Sequence, residues 1–204
     1  RSRRKMTMIQ VTVADVVARG VPPERNYVVV LWDAAGRRLL PIWVGPAEGV
    51  AIATGLQNMP TERPLTYPFL ASLLAAADLT VAAVEISAMQ GDTYLAVVKL
   101  RSGGTTHAVD ARPSDALALA ARTASPIYVA PDLLERNGIV LPSEFGTQPP
   151  AAGAAQIVRE LAAEWQARPM VPARSMAEQE QSRQEFLAFL YAGNPAGDAA
   201  ERLA

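Results

Sequence analysis

Between Asp110 and Ala116 the chain reads Asp-Ala-Arg-Pro-Ser-Asp-Ala, which sets two carboxylates and a guanidinium in one short polar run. Phosphodiester hydrolysis uses such groups: carboxylates hold a divalent cation that activates water and steadies the leaving oxygen, while arginine neutralises the phosphate. Asp110, Asp115 and Glu48 are therefore the candidate catalytic residues, and the same three are the candidate ligands for Mg²⁺ or Mn²⁺. Arg112, Arg63 and Ser114 are the candidates for contacting substrate phosphate. The run also has a plain structural reading, since an Asp in a first helical turn and an Asp-Arg pair can close a helix end and satisfy one another.

The elements around the run fix where these groups lie. Thr105 to Val109 reads as a strand, Pro113 suits the first helical position, and Asp115 falls in the first turn beside the positive end of the helix dipole. Asp110, Arg112 and Asp115 are expected to form one polar cluster there, facing Glu48 or Arg63. Upstream, Ile9, Val11 and Val13 alternate with polar residues as a half-buried strand, and Pro22-Pro23 breaks the chain. Tyr27 to Trp32 and Leu39 to Val44 are strands joined by the turn Asp33-Ala34-Ala35-Gly36, and Gly45-Pro46 opens a helix reaching about Gln57.

The same order returns: a strand over Leu79–Ala88, a turn at Gly91-Asp92, a strand over Thr93–Leu100, a turn at Ser102-Gly103-Gly104, then the strand entering the central helix. A gapless shift that carries Gly36 onto Gly103 also carries Tyr27 onto Tyr94, Ile42 onto Val109, Pro46 onto Pro113 and Glu48 onto Asp115. The expected fold class is α/β, of α+β type, with duplicated β-β-β-α units packed into one compact domain and C-terminal helices beyond it. Between the units, Thr66 is placed to cap a helix whose Phe69, Leu70, Leu73, Leu74 and Ala77 form an apolar stripe expected in the core. Ile127–Val129 reads as a short strand and Pro131–Arg136 as a helical turn. The domain is expected over residues 6–142, followed by a linker at 143–153, a helical extension at 154–192 and a disordered tail at 193–204.

Composition narrows the chemistry. Among 204 residues there is no cysteine, which removes disulfides, thiolate metal sites and cysteine nucleophiles, and fits an intracellular, cytoplasmic location. A formal net charge of −1 excludes a wholly electrostatic nucleic-acid binder, though not local contact with RNA or DNA. No apolar run approaches the roughly 20 residues needed to cross a bilayer, so no membrane role is expected, and the basic start Arg1-Ser2-Arg3-Arg4-Lys5 reads as a solvated tail. Phosphate-loop, dinucleotide-glycine and paired-histidine zinc patterns are absent. His107, the single histidine, alternates onto the face of Thr105 and Val109, opposite Asp110, and no nucleophile elbow accompanies it. Trp32, Trp43, Tyr27 and Tyr94 occupy strand patterns where aromatics serve packing. The apolar helices, together with Phe186, Leu187, Phe189 and Leu190 near the C-terminus, predict a homo-oligomer.

Leu40-Pro41-Ile42-Trp43-Val44-Gly45-Pro46-Ala47-Glu48, Arg63-Pro64-Leu65-Thr66, Asp110 to Ala116 and Pro126-Ile127 resemble the bifunctional nuclease family over roughly residues 6 to 142. That resemblance implies an α/β domain that forms oligomers and a nuclease activity on both RNA and DNA. One departure stands out: the family pattern continues after Arg-Pro-Leu-Thr with His-Asp, whereas this chain has Tyr67 and Pro68. Two functions remain open on sequence grounds, a metal-assisted nuclease and a catalytically weakened or inactive oligomeric binding module on the same fold.

Overall fold

The computed structural model describes residues 7–19, 26–91, 93–141 and 143. Eight strands and four helices follow in the order β1 (Ile9–Arg19), β2 (Asn26–Asp33), β3 (Arg38–Val44), α1 (Pro46–Leu56), α2 (Thr66–Ala76), β4 (Thr80–Gln90), β5 (Thr93–Ser102), β6 (Thr105–Ala111), α3 (Pro113–Thr123), β7 (Ile127–Val129), α4 (Pro131–Asn137) and β8 (Ile139–Val140). The linker, the C-terminal helical extension and the tail expected from sequence lie outside the described residues, apart from Ser143. Mixed α/β architecture is as the sequence patterns require.

All strands among the described residues join one sheet in the order β6-β5-β4-β7-β1-β2-β3-β8. Only β4 and β7 run parallel; every other neighbouring pair is antiparallel. Each trio, β1-β2-β3 and β4-β5-β6, is a meander leading into a proline-opened helix. Their hairpins differ in register. Tyr27 faces Val44, but Ala111, the sequence counterpart of Val44, faces Ala96 and not Tyr94. The first hairpin closes at Asp33 and Arg38, the second more tightly at Ser102 and Thr105, and the resulting two-residue slip leaves each side chain on its original face.

The main core lies between the sheet and the helices, built from residues such as Val29, Leu31, Leu40, Ile42, Val84, Ile86, Ala96 and Val98 against Ile52 and Ala116–Ala120. A bulge in β1 between Val13 and Asp15, and two in β4 at Val81/Ala83 and Ile86/Ala88, change which residues of the strand face inward. Strand β2 is buried on both faces: Val29 and Leu31 join the main core, while Val28, Val30 and Trp32 form a second cluster with Val17, Leu39 and Leu141.

Helix α3 is held between α1, α2 and the sheet, which explains five consecutive buried residues from Ala116 to Ala120. Its close contact with α1 uses Gly55, where an added Cβ would stand 3.1 Å from that of Ala121. Helix α2 departs from expectation. It packs chiefly on α3, so its stripe is not core: Leu70 and Leu74 are half-buried, whereas Phe69 is 58% and Leu73 52% exposed. Thr66 is the first helical residue and not the cap; Leu65 holds the cap position, without a side-chain capping bond.

Candidate functional site

Helices α1 and α3 each begin with proline and carry an acidic residue in the first turn, Glu48 and Asp115 respectively. Arg112, whose extended backbone forms the N-cap of α3, stands between them. Its Nε donates to Asp115 Oδ2 at 2.6 Å and its Nη2 to Asp115 Oδ1 at 2.8 Å, a two-pronged grip. Nη2 also donates to Glu48 Oε1 at 3.1 Å. From the first turn of α2, the Tyr67 hydroxyl donates to Asp115 Oδ1 at 2.7 Å. Glu48 can lie back over its own helix entrance because Gly45 lacks a Cβ, which would stand 2.6 Å from Glu48 Oε2.

Side chains from the first turns of α1, α2 and α3 therefore meet with that of the N-cap Arg112. The N-termini of α1 and α3 each carry roughly half a positive charge, so the two carboxylates are opposed by one guanidinium and the dipole ends of their own helices. The charges act on one another. Hydrogen bonds from Arg112, with help from Tyr67, hold the Asp115 carboxyl below the ordinary carboxylate range despite its partial burial. Burial first, then the bond to Asp115, pushes the Tyr67 phenol well above its ordinary value, so it stays a donor. The Arg112 guanidinium is held charged by its bonds to Asp115 and Glu48.

Although engaged, the Arg112 side chain is 67% exposed, and none of these bonds uses Nη1. Exposed ion pairs contribute at most about 1 kcal/mol each, which makes the cluster a poor candidate for the main lock of the fold. That role suits Asp33. It is 1% exposed, accepts from Arg38 Nε at 2.8 Å, pairs with Arg38 Nη2 at 2.8 Å, and accepts the Ala35 and Gly36 backbone N–H groups at 3.1 Å.

A family model described as the bifunctional nuclease domain matches residues 29–142, a span that contains all four clustered residues. The chain belongs to the bifunctional nuclease domain family. Two uncharacterized proteins of Mycobacterium tuberculosis, from strains CDC 1551 / Oshkosh and ATCC 25618 / H37Rv, are each 37% identical to it over 122 residues, covering 60% of this chain and 73% of the relative.

Within this bifunctional nuclease domain the sequence-derived candidates separate. Glu48, Arg112 and Asp115 come together as expected. Asp110 does not join them: it pairs with Val97, on the sheet face opposite the one that Val98 and Ala96 turn to the core, because strand alternation still governs that position. Arg63 is exposed in the segment before α2, where its carbonyl accepts from Thr61, and no bond links its side chain to the cluster. Ser114 lies in the first turn of α3 without a hydrogen bond to the cluster among the described residues. Asp110, Asp115 and Glu48 consequently do not form a metal-ligand set, and no group of three such residues does so among the described residues. The Arg112 guanidinium fills the place between Glu48 and Asp115. Tyr67 is the member that sequence reasoning missed; its position as a departure from the family pattern was visible, but not its contact with Asp115.

Proposed function

We propose that this domain hydrolyses phosphodiester bonds of RNA and DNA at the meeting point of α1, α2 and α3. The observation that carries the reading is the Glu48–Arg112–Asp115 arrangement, with an arginine edge open to solvent, in a chain of this family. In this reading the Nη1 edge of Arg112 binds a non-bridging phosphate oxygen, and the helix ends add favourable field to the same anion. Glu48, joined to Arg112 by one longer bond, gives way as the phosphate docks and accepts the proton of an attacking water. The new P–O bond forms from that water as the bond to the leaving sugar oxygen breaks, and that oxygen departs as an alcohol with a proton taken from bulk water. Nothing in this sequence needs a 2′-hydroxyl, which suits both nucleic acids.

The reading extends to self-association. Leu65, Phe69 and Leu73 recur every fourth residue along α2 and its cap, each more than half exposed, and the helix carries no charged residue. A second copy of the chain is the proposed cover for this face. The absence of cysteine agrees with a cytoplasmic setting, and no described helix is long and apolar enough to cross a membrane.

The test is incubation of the purified full chain with RNA and with supercoiled DNA, in Mg²⁺, in Mn²⁺ and in EDTA. Cleavage of both substrates is expected; the EDTA arm reports whether a cation takes part. Intact RNA and DNA in every arm would overturn the proposal and favour a non-catalytic binding module.

A further inference from the structure

We propose that Tyr67 is a positioning residue of this entrance, its phenol fixing the Asp115 carboxylate so that the gripped Arg112 guanidinium turns its Nη1 edge toward a nucleic-acid phosphate. The inference rests on the reading above and assigns Tyr67 a part in it.

The geometry orders the four residues. Arg112 is the most exposed and the longest, so it cannot anchor the cluster by itself. Asp115 is gripped by Arg112 at both oxygens, but this pair alone leaves the carboxylate plane free to turn with its partner. Tyr67 supplies the missing constraint. Its ring packs against the main core, its side chain has two torsions, and its hydroxyl reaches Asp115 Oδ1, the oxygen that also accepts Nη2. Glu48 offers Arg112 only one bond, at 3.1 Å. Fixed from the core outward, Tyr67 sets Asp115, Asp115 sets Arg112, and the edge left over is Nη1. A phenylalanine would keep the packing and remove only the bond to Asp115.

The experiment compares wild type, Tyr67→Phe, Asp115→Asn and the double variant as full chains. Binding of a fluorescein-labelled single-stranded oligonucleotide is read by anisotropy, and exchange of the Arg112 Nε–H with water is read by ¹⁵N NMR without ligand. Tyr67→Phe is expected to weaken binding about fivefold, the scale of one hydrogen bond, and to add nothing once Asp115→Asn is present. The Arg112 Nε–H is expected to exchange faster in Tyr67→Phe than in wild type. Unchanged binding in Tyr67→Phe, or an equal loss in both backgrounds, would overturn the role. Should the wild type bind no oligonucleotide, the functional reading fails, and the exchange measurement still decides the linkage: identical Arg112 exchange in wild type and Tyr67→Phe refutes it.

Discussion

The Tyr67 hydroxyl and the Asp115 carboxylate meet at 2.7 Å across 48 residues of sequence, tying the first turn of α2 to the first turn of α3. This bond shapes an exposed arginine. The other conspicuous carboxylate–arginine pair, Asp33 with Arg38, lies at a hairpin with its carboxylate fully buried. Burial separates the two tasks, since a screened pair adds little stability and a desolvated one cannot be broken cheaply.

Arg112→Met, which removes two exposed pairs, is accordingly expected to cost less than about 2 kcal/mol of unfolding free energy. Asp33→Ala is expected to cost about 3–5 kcal/mol, because it strands the Arg38 charge and two backbone N–H groups. Urea titrations of both variants check this, and a larger loss for Arg112→Met would show that the cluster is a structural lock.

Acid should dissolve the Asp115 contribution. Its carboxyl is held below the ordinary range by Arg112, so the stabilisation is complete above the unfolded value of about 4 and fades as pH falls through the lower folded value. The melting-temperature gap between wild type and Asp115→Asn is expected to stay constant from neutral pH to about pH 5 and then to close on further acidification. A gap that widens in acid contradicts the assignment.

Gly49 lies against the Tyr27 ring, and an added Cβ would fall inside contact distance of it. Gly49→Ala is expected to lose about 1–3 kcal/mol through overpacking between α1 and β2. Calorimetry of this variant tests how firmly α1, and with it Glu48, is seated.

Much of this arrangement is legible in the residues themselves. Pro46 and Pro113 mark the two helix starts, Gly103 takes the positive φ that its tight turn requires, and the spacing of Arg112 to Asp115 suits an ion pair across one helical turn. Asp110 shows where proximity in sequence misleads. Two residues before the strand gives way to the helix, it still obeys the period of two, which sends it to the other face of the sheet. The α2 stripe misleads differently: its periodicity identifies an apolar face, but not whether that face meets the sheet or stays open. In β4, bulges keep Val81, Val84, Ile86 and Met89 turned to the core although their spacing breaks strict alternation. Tyr67 reaches its partner only through the tertiary packing of α2 on α3, which no local pattern encodes.

If a second copy covers α2, Phe69→Glu with Leu73→Glu should shift the protein to monomers in size-exclusion chromatography with light scattering, since two buried charges without partners are costly. A wild-type monomer at high micromolar concentration would contradict the proposed association.

The most direct test of the phosphodiester site is the cleavage rate of labelled single-stranded RNA and supercoiled DNA by wild type and by a Glu48→Gln, Arg112→Met double variant of matched melting temperature. The account predicts cleavage of both substrates by wild type and none by the variant, because the proton acceptor and the phosphate contact are both removed. Undiminished cleavage by the folded double variant would place the chemistry elsewhere in the molecule.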